Sequence, residues 1–130
     1  MSINKVILLG RLGQDPEMRF SPTGSACCTF SLATSERYVG KDGIKHELTE
    51  WHRVVVWGKL GEVCNQHLSK GRQTYVEGKL KTRSWEKDGR KFYATEIFAN
   101  VVRFIGEKRE AQRTDTIQTQ EGQTMEDIPF

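Results

Sequence analysis

The chain has 130 residues, a net charge of +3 and a hydrophobic fraction of 36%. This length suits one domain with its own core and excludes two full domains. No apolar run approaches the roughly 20 residues of a membrane span, and no signal peptide is evident, so we expect a cytoplasmic protein without membrane contact.

Charge is divided unevenly along the chain. Residues 1–106 hold 17 Lys and Arg against 11 Asp and Glu, whereas residues 107–130 hold 3 against 6. A basic domain attracts polyanions, and an acidic tail suits a different kind of partner. The sequence therefore predicts two separate interactions.

The predicted elements begin with two strands. Residues 6–9 are apolar and predict a first strand, which ends at a bend marked by Gly10 and Gly13. Residues 28–34 alternate apolar and polar side chains, which is typical of a half-buried second strand. The polar segment 37–48 predicts a loop or an exposed hairpin tip.

A third strand and a single helix follow. Residues 50–57 predict the strand, and the apolar residues of segment 59–68 then change to a helical period. Gly71 stands just past this segment, where a left-handed helix cap is favoured.

A hairpin of two more strands completes the domain. Residues 74–85 and 91–104 predict the fourth and fifth strands, and Asp88-Gly89 between them predicts a tight turn. A slip of one residue would reverse every side chain to the other face. With the turn centred on Asp88-Gly89, the facing pairs are Trp85 with Phe92 and Lys81 with Glu96.

The order of these elements predicts the fold class. Three strands, one short helix between strands 3 and 4, and two final strands indicate a mainly all-β fold, the five-stranded oligonucleotide-binding (OB) barrel, over residues 1–106. Residues 107–130 lack periodicity and are rich in polar residues, so we expect a disordered acidic tail.

Each tryptophan lies in a predicted strand near cations. Trp51, Arg53 and Trp57 share one face of their strand, because alternate side chains point the same way. Flat rings beside cations form a surface that suits single-stranded nucleic acid. The face of Trp85 also carries three cations, Lys79, Lys81 and Arg83.

The same residues also have purely structural interpretations. Trp51 and Trp57 could fill the barrel core, although Arg53 between them would be costly to bury unpaired. The cations of the fourth strand could form an ordinary solvated face or protect a sheet edge from aggregation.

The sequence shows no pattern typical of catalysis, of a metal site or of a cofactor. His52 has no nucleophile or orienting acid at a recognised spacing, and it shares a strand face with Val54 and Val56, so we expect a packing or interface role. The three cysteines and three histidines lack metal-ligand spacing, and the cysteines are expected to be small buried residues. A barrel nuclease is the alternative from another class of protein, but the sequence shows no carboxylate cluster suited to the metal that it would need.

Four segments, in order, resemble bacterial single-stranded-DNA-binding proteins. These segments are NKVILLGRLGQDPE at 4–17, TEWHRVV at 49–55, GRQTYVEG through Trp85 at 71–85, and DIPF at 127–130. The resemblance covers residues 2–106 almost without a gap, and then the last few residues.

The resemblance implies a homotetramer of OB barrels that binds single-stranded DNA on the nucleoid, without chemistry and with little sequence preference. It also implies that His52 lies at a subunit contact. Stacking aromatics match Tyr38, Trp51, Trp57 and Trp85. Phosphate-contacting cations match Arg53, Lys59, Lys70, Lys81 and Arg83. An accessory primosome-type or RNA-binding barrel is the alternative.

The C-terminal tip predicts a second binding function. Its acidic and apolar side chains would suit a partner with a basic rim and a hydrophobic pocket. The resemblance implies that such partners are replication, recombination and repair enzymes, whereas a frayed end without a role is the structural alternative. The tip residues are Glu126, Asp127, Ile128, Pro129 and Phe130.

Overall fold

The computed structural model describes residues 1–106, which form six strands and one helix. In chain order the elements are β1 (Val6–Leu12), β2 (Glu17–Phe20), β3 (Ala26–Val39), β4 (Lys45–Trp57), α1 (Gly58–His67), β5 (Gln73–Lys87) and β6 (Arg90–Ile105). The predicted mainly β fold with one short helix is confirmed. Within residues 1–106, no helix has the length and apolar character that a membrane crossing requires.

Five of the strands close into a barrel. The sheet order is β1-β5-β6-β4-β3-β2, and β1 also pairs with β3, which closes the ring. β4 and β6 pair in parallel, whereas the other neighbours are antiparallel. The additional strand β2 was not predicted, since its four residues are too few to show a period and it is held by pairing with β3.

Alternate side chains of these strands fill the barrel. Leu32, Val54, Val56 and Val76 are fully buried at its centre. The helix covers one side of this core with Leu60 and Cys64, as its period predicted, and Leu68, just past its last turn, is also buried. Burial raises the pKa of the Cys64 thiol to about 12 and that of Cys28 to about 11. Cys27 is only half-buried, in contrast to the prediction for all three cysteines.

The end of the helix differs from the prediction. Leu68 terminates α1 in an extended conformation, and its N–H donates to the carbonyl of Cys64 at 2.9 Å. Gly71 does have a positive φ of 86°, but it lies in the following turn, where the Arg72 N–H donates to the Ser69 carbonyl. The glycine therefore directs the chain into β5 and does not cap the helix.

The polar segment 37–48 is mostly strand. β3 and β4 remain paired out to Val39 and Lys45, so a hairpin tip of residues 40–44 is all that remains of the predicted loop. Polar side chains on both faces conceal these strands from a periodicity argument, because this end of the hairpin has little core to cover.

The hairpin of β5 and β6 has the predicted register. Asp88 and Gly89 have φ values of 53° and 77°, as a two-residue type I′ turn requires. The predicted facing pairs are both confirmed, Trp85 with Phe92 and Lys81 with Glu96.

Candidate nucleic-acid interface

The two aromatic and cationic strand faces form one continuous surface. The parallel pairing of β4 with β6 sets Val55 beside Phe98, and β6 in turn sets Phe98 opposite Lys79 of β5. Paired residues point to the same side of a sheet. We call this side, which runs across β3, β4, β6 and β5, the aromatic face. It carries Trp51, Arg53, Trp57, Lys79, Lys81, Arg83 and Trp85.

The three tryptophans of the aromatic face are not core residues. Trp51, Trp57 and Trp85 are 59%, 45% and 40% exposed, respectively. A ring in this position rests on the protein with one side and can stack on a base with the other. These exposures exclude the interpretation of Trp51 and Trp57 as barrel core.

Neighbouring side chains hold the Trp85 ring in place. It stacks on Phe92 with ring centroids 5.8 Å apart and an angle of 22° between the planes. The guanidinium of Arg83 lies over the ring at 4.8 Å. A ring that is held before a ligand arrives loses less conformational freedom on binding.

Gly13 provides the space for the Trp51 ring. A Cβ at Gly13 would lie 2.4 Å from a ring carbon of Trp51, so a larger residue would displace the ring. The Gly13 N–H donates to the Ser31 carbonyl at 3.1 Å, which fixes the backbone there. In the sequence this glycine indicated only a bend.

A buried carboxylate joins two cations of the aromatic face. Glu96 accepts a hydrogen bond from Arg53 Nε at 2.8 Å and one from Arg83 Nε at 3.1 Å. The Glu96 side chain is 5% exposed, whereas the two arginines are 50% and 54% exposed. The buried charge is thus paired, and part of each guanidinium remains accessible. The sequence showed Glu96 only as the cross-strand neighbour of Lys81.

The predicted lysines fall in three places. Lys81 lies on the aromatic face with its Nζ 5.4 Å from the centroid of Phe98. Lys59 is exposed in the first turn of α1, two residues after Trp57. Lys70 is exposed in the loop after α1, outside the four strands of the face. Protection of a sheet edge would not require a contact with an aromatic ring, so Lys81 fits a binding surface better.

Tyr38 lies in β3 and not in a loop, and it is not on the aromatic face. It stacks on its cross-strand partner His46 at 5.1 Å, and both belong to the alternate set of side chains from Trp51. The structure therefore does not place this aromatic residue beside the three tryptophans.

Arg19 is a cation that the sequence did not indicate. The pairing of β2 with β3 sets Arg19 beside Cys27, and Cys27 faces Trp57 on β4. Arg19 therefore extends the aromatic face beyond Trp57. Burial raises the pKa of the Cys27 thiol, and the charges of Arg53 and Arg19 partly offset this rise. Only the pairing of β2 could have revealed this position.

His52 lies on the side of its strand that faces the core. It is half-buried, and its Nε2 lies 2.9 Å from the hydroxyl of Thr34. Its neighbours Val54 and Val56 on this side are fully buried, as expected. Among residues 1–106, no group of His, Cys, Asp and Glu has the arrangement of a metal site.

A second exposed surface lies along β1. Ile7 and Leu9 are 58% and 53% exposed, and they face Glu77 and Tyr75 of β5. The hydroxyl of Tyr75 donates to Glu77, which raises the pKa of Tyr75, and Lys5 also contacts Glu77 at 3.3 Å. Over residues 6–10, the other edge of β1 has no partner strand within the part of the chain that the structure describes.

The closed barrel with an exposed aromatic and cationic face is that of an OB-fold protein. The chain belongs to the Single-strand binding protein family, whose sequence model matches residues 3–105.

Curated relatives support the same assignment. Single-stranded DNA-binding protein 1 of Chlorobaculum tepidum is 51% identical over 108 residues, which are 82% of this chain and 67% of the relative. The single-stranded DNA-binding proteins of Neisseria meningitidis serogroups A and B are each 46% identical over 111 residues, covering 85% of this chain and 64% of the relative. The chain thus spans about two thirds of the length of these relatives.

Solved structures show the same fold. A complex of the Plasmodium falciparum SSB with ssDNA has a TM-score of 0.76 at 33% identity, covering 82% of this chain and 97% of that one. A deletion variant of the single-stranded DNA binding protein from Thermus aquaticus has a TM-score of 0.71 at 34% identity, covering 80% and 51%.

Proposed function

We propose that this chain binds single-stranded DNA with little sequence preference, and so protects it during replication, recombination and repair on the nucleoid. The observation that carries this proposal is the continuous aromatic face, in which half-exposed rings alternate with cations across four strands. Its relatives are named single-stranded DNA-binding proteins, and one structural neighbour is a complex with ssDNA.

The chemistry of the face suits this ligand. Every base has a π surface, so stacking on Trp51, Trp57 and Trp85 tolerates any sequence. The phosphates of DNA release their condensed counterions when arginine and lysine side chains take the place of those counterions. Binding of this kind needs no catalytic group. In the proposal, Tyr38 adds a further stack from the other side of the β3–β4 hairpin. The phosphate contacts in the proposal are Arg53, Lys59, Lys70, Lys81 and Arg83.

We infer a homotetramer, which the family resemblance implies and which the exposed β1 surface supports. An exposed, unpaired and apolar strand edge invites aggregation unless another chain covers it. A closed symmetric assembly would cover Ile7 and Leu9 and end the growth of the sheet. His52 belongs to the same proposal as a residue of a subunit contact.

A titration with oligo-dT tests the function. Tryptophan fluorescence should be quenched as bases stack on the exposed rings, and light scattering should give about four times the chain mass of 14.9 kDa. Competition with oligo-U separates DNA binding from RNA binding. A folded protein whose fluorescence does not respond to oligo-dT would contradict the proposed function.

The tip of residues 126–130 lies outside the described residues, as does the predicted tail, so its role is proposed from sequence. Deleting Phe130 should abolish capture of replication, recombination and repair enzymes, because the apolar anchor is lost. Oligo-dT affinity should stay within about twofold, since no predicted stack or phosphate contact is removed. Gln118→Ala, in the polar part of the tail, is the matched control. Unchanged partner capture after the deletion would refute the docking role.

A further inference from the structure

We propose that Glu96 is a positioning residue, whose buried carboxylate holds Arg53 of β4 and Arg83 of β5 as one preorganised pair of phosphate contacts. This inference rests on the proposed function and assigns a role to a residue that does not itself touch DNA. It explains why a face that binds a polyanion has a carboxylate at its centre.

The geometry suits this role. Glu96 lies in β6, between the strands of the two arginines, and it gives one oxygen to each. The carboxylate is nearly inaccessible, whereas both guanidiniums are half exposed. Arg83 also lies over the ring of Trp85, so the carboxylate indirectly fixes a cation at a stacking ring.

Two effects of opposite sign compete at this position. A negative charge on the face repels phosphate, so charge alone would make Glu96 unfavourable for binding. However, ordering a free arginine on a phosphate costs about two- to tenfold in affinity for each side chain. Glu96 orders both arginines before DNA arrives. Near 0.2 M salt, screening weakens the repulsion between the exposed phosphates and this face, whereas the short hydrogen bonds of the buried carboxylate are screened much less, so positioning should prevail.

The test compares two substitutions that remove the same charge. Glu96→Gln leaves one acceptor for two arginines, so oligo-dT affinity at about 0.2 M salt should fall by about three- to tenfold, with a shallower salt dependence. Glu86→Gln is the matched control, because Glu86 is exposed on the same hairpin and makes no ion pair within residues 1–106. This control should bind as tightly as the wild type or slightly more tightly.

A double-mutant cycle provides a readout that a merely structural role would not change. Arg53→Ala should weaken binding several-fold more in the Glu96 protein than in the Glu96→Gln protein, where Arg53 is already misplaced. Equal costs in the two backgrounds would overturn the inference. So would a Glu96→Gln protein that binds as tightly as the wild type or more tightly.

Two further variants keep the inference testable if Glu96→Gln does not fold. Arg53→Lys and Arg83→Lys retain the charge, but a single ammonium cannot hold Glu96 and present a planar fork to a phosphate. Each should lower affinity several-fold, and wild-type affinity in both would overturn the inference. A wild-type chain that fails to bind oligo-dT would instead contradict the proposed function itself.

Discussion

Replacing Trp51 and Trp57 together with alanine is expected to lower oligo-dT affinity by about 2–6 kcal/mol, because each stacked base contributes about 1–3 kcal/mol. Both rings are about half exposed and the core lies on the other side of β4, so the barrel should remain folded. Fluorescence anisotropy with labelled oligo-dT measures the affinity, and circular dichroism monitors the fold.

An exposed ring elsewhere provides the control for this double variant. Phe20 is exposed in β2, where it alternates with Arg19 and so belongs to the side opposite the aromatic face. Phe20→Ala should therefore leave affinity nearly unchanged. If the double tryptophan variant unfolds, or if it binds as tightly as Phe20→Ala, the rings are not the stacking platform.

Raising the salt concentration from 50 to 200 mM should weaken binding by about a hundredfold. Single strands give a slope of about −0.7 for each neutralised phosphate, and the five proposed cations together give a slope of about −3.5. The measurement is a plot of log affinity against log salt. A flat plot would contradict a binding surface built on phosphate contacts.

Single charge removals refine this second prediction. Lys81→Gln should reduce the slope by about 0.7, since Lys81 lies on the aromatic face above Phe98. Lys41→Gln removes the same charge at the hairpin tip, beyond the last paired residues of β3 and β4, and should change the slope less. Equal effects of the two variants would indicate that only the summed charge of the domain matters.

Local sequence signals predicted most of the secondary structure and failed where the local pattern was weak. The Asp88-Gly89 turn gave the register of β5 and β6 from the turn back to Gly78, because a two-residue turn fixes the pairs next to it, whereas a bulge shifts the register beyond Gly78. β2 was missed because four residues show no period. Tyr38 was placed in a loop because polar residues cover both faces of its strand near the hairpin tip.

The sequence by itself determined which residues share a strand face, because alternation along a strand is a local property. It thereby placed Trp51, Arg53 and Trp57 together, and Lys81 with Trp85. Only the tertiary structure decided that these two sets form one surface, since the parallel contact of β4 with β6 joins residues far apart in the chain. The bridge through Glu96 depends on the same contact, because each of its arginines comes from a different neighbouring strand.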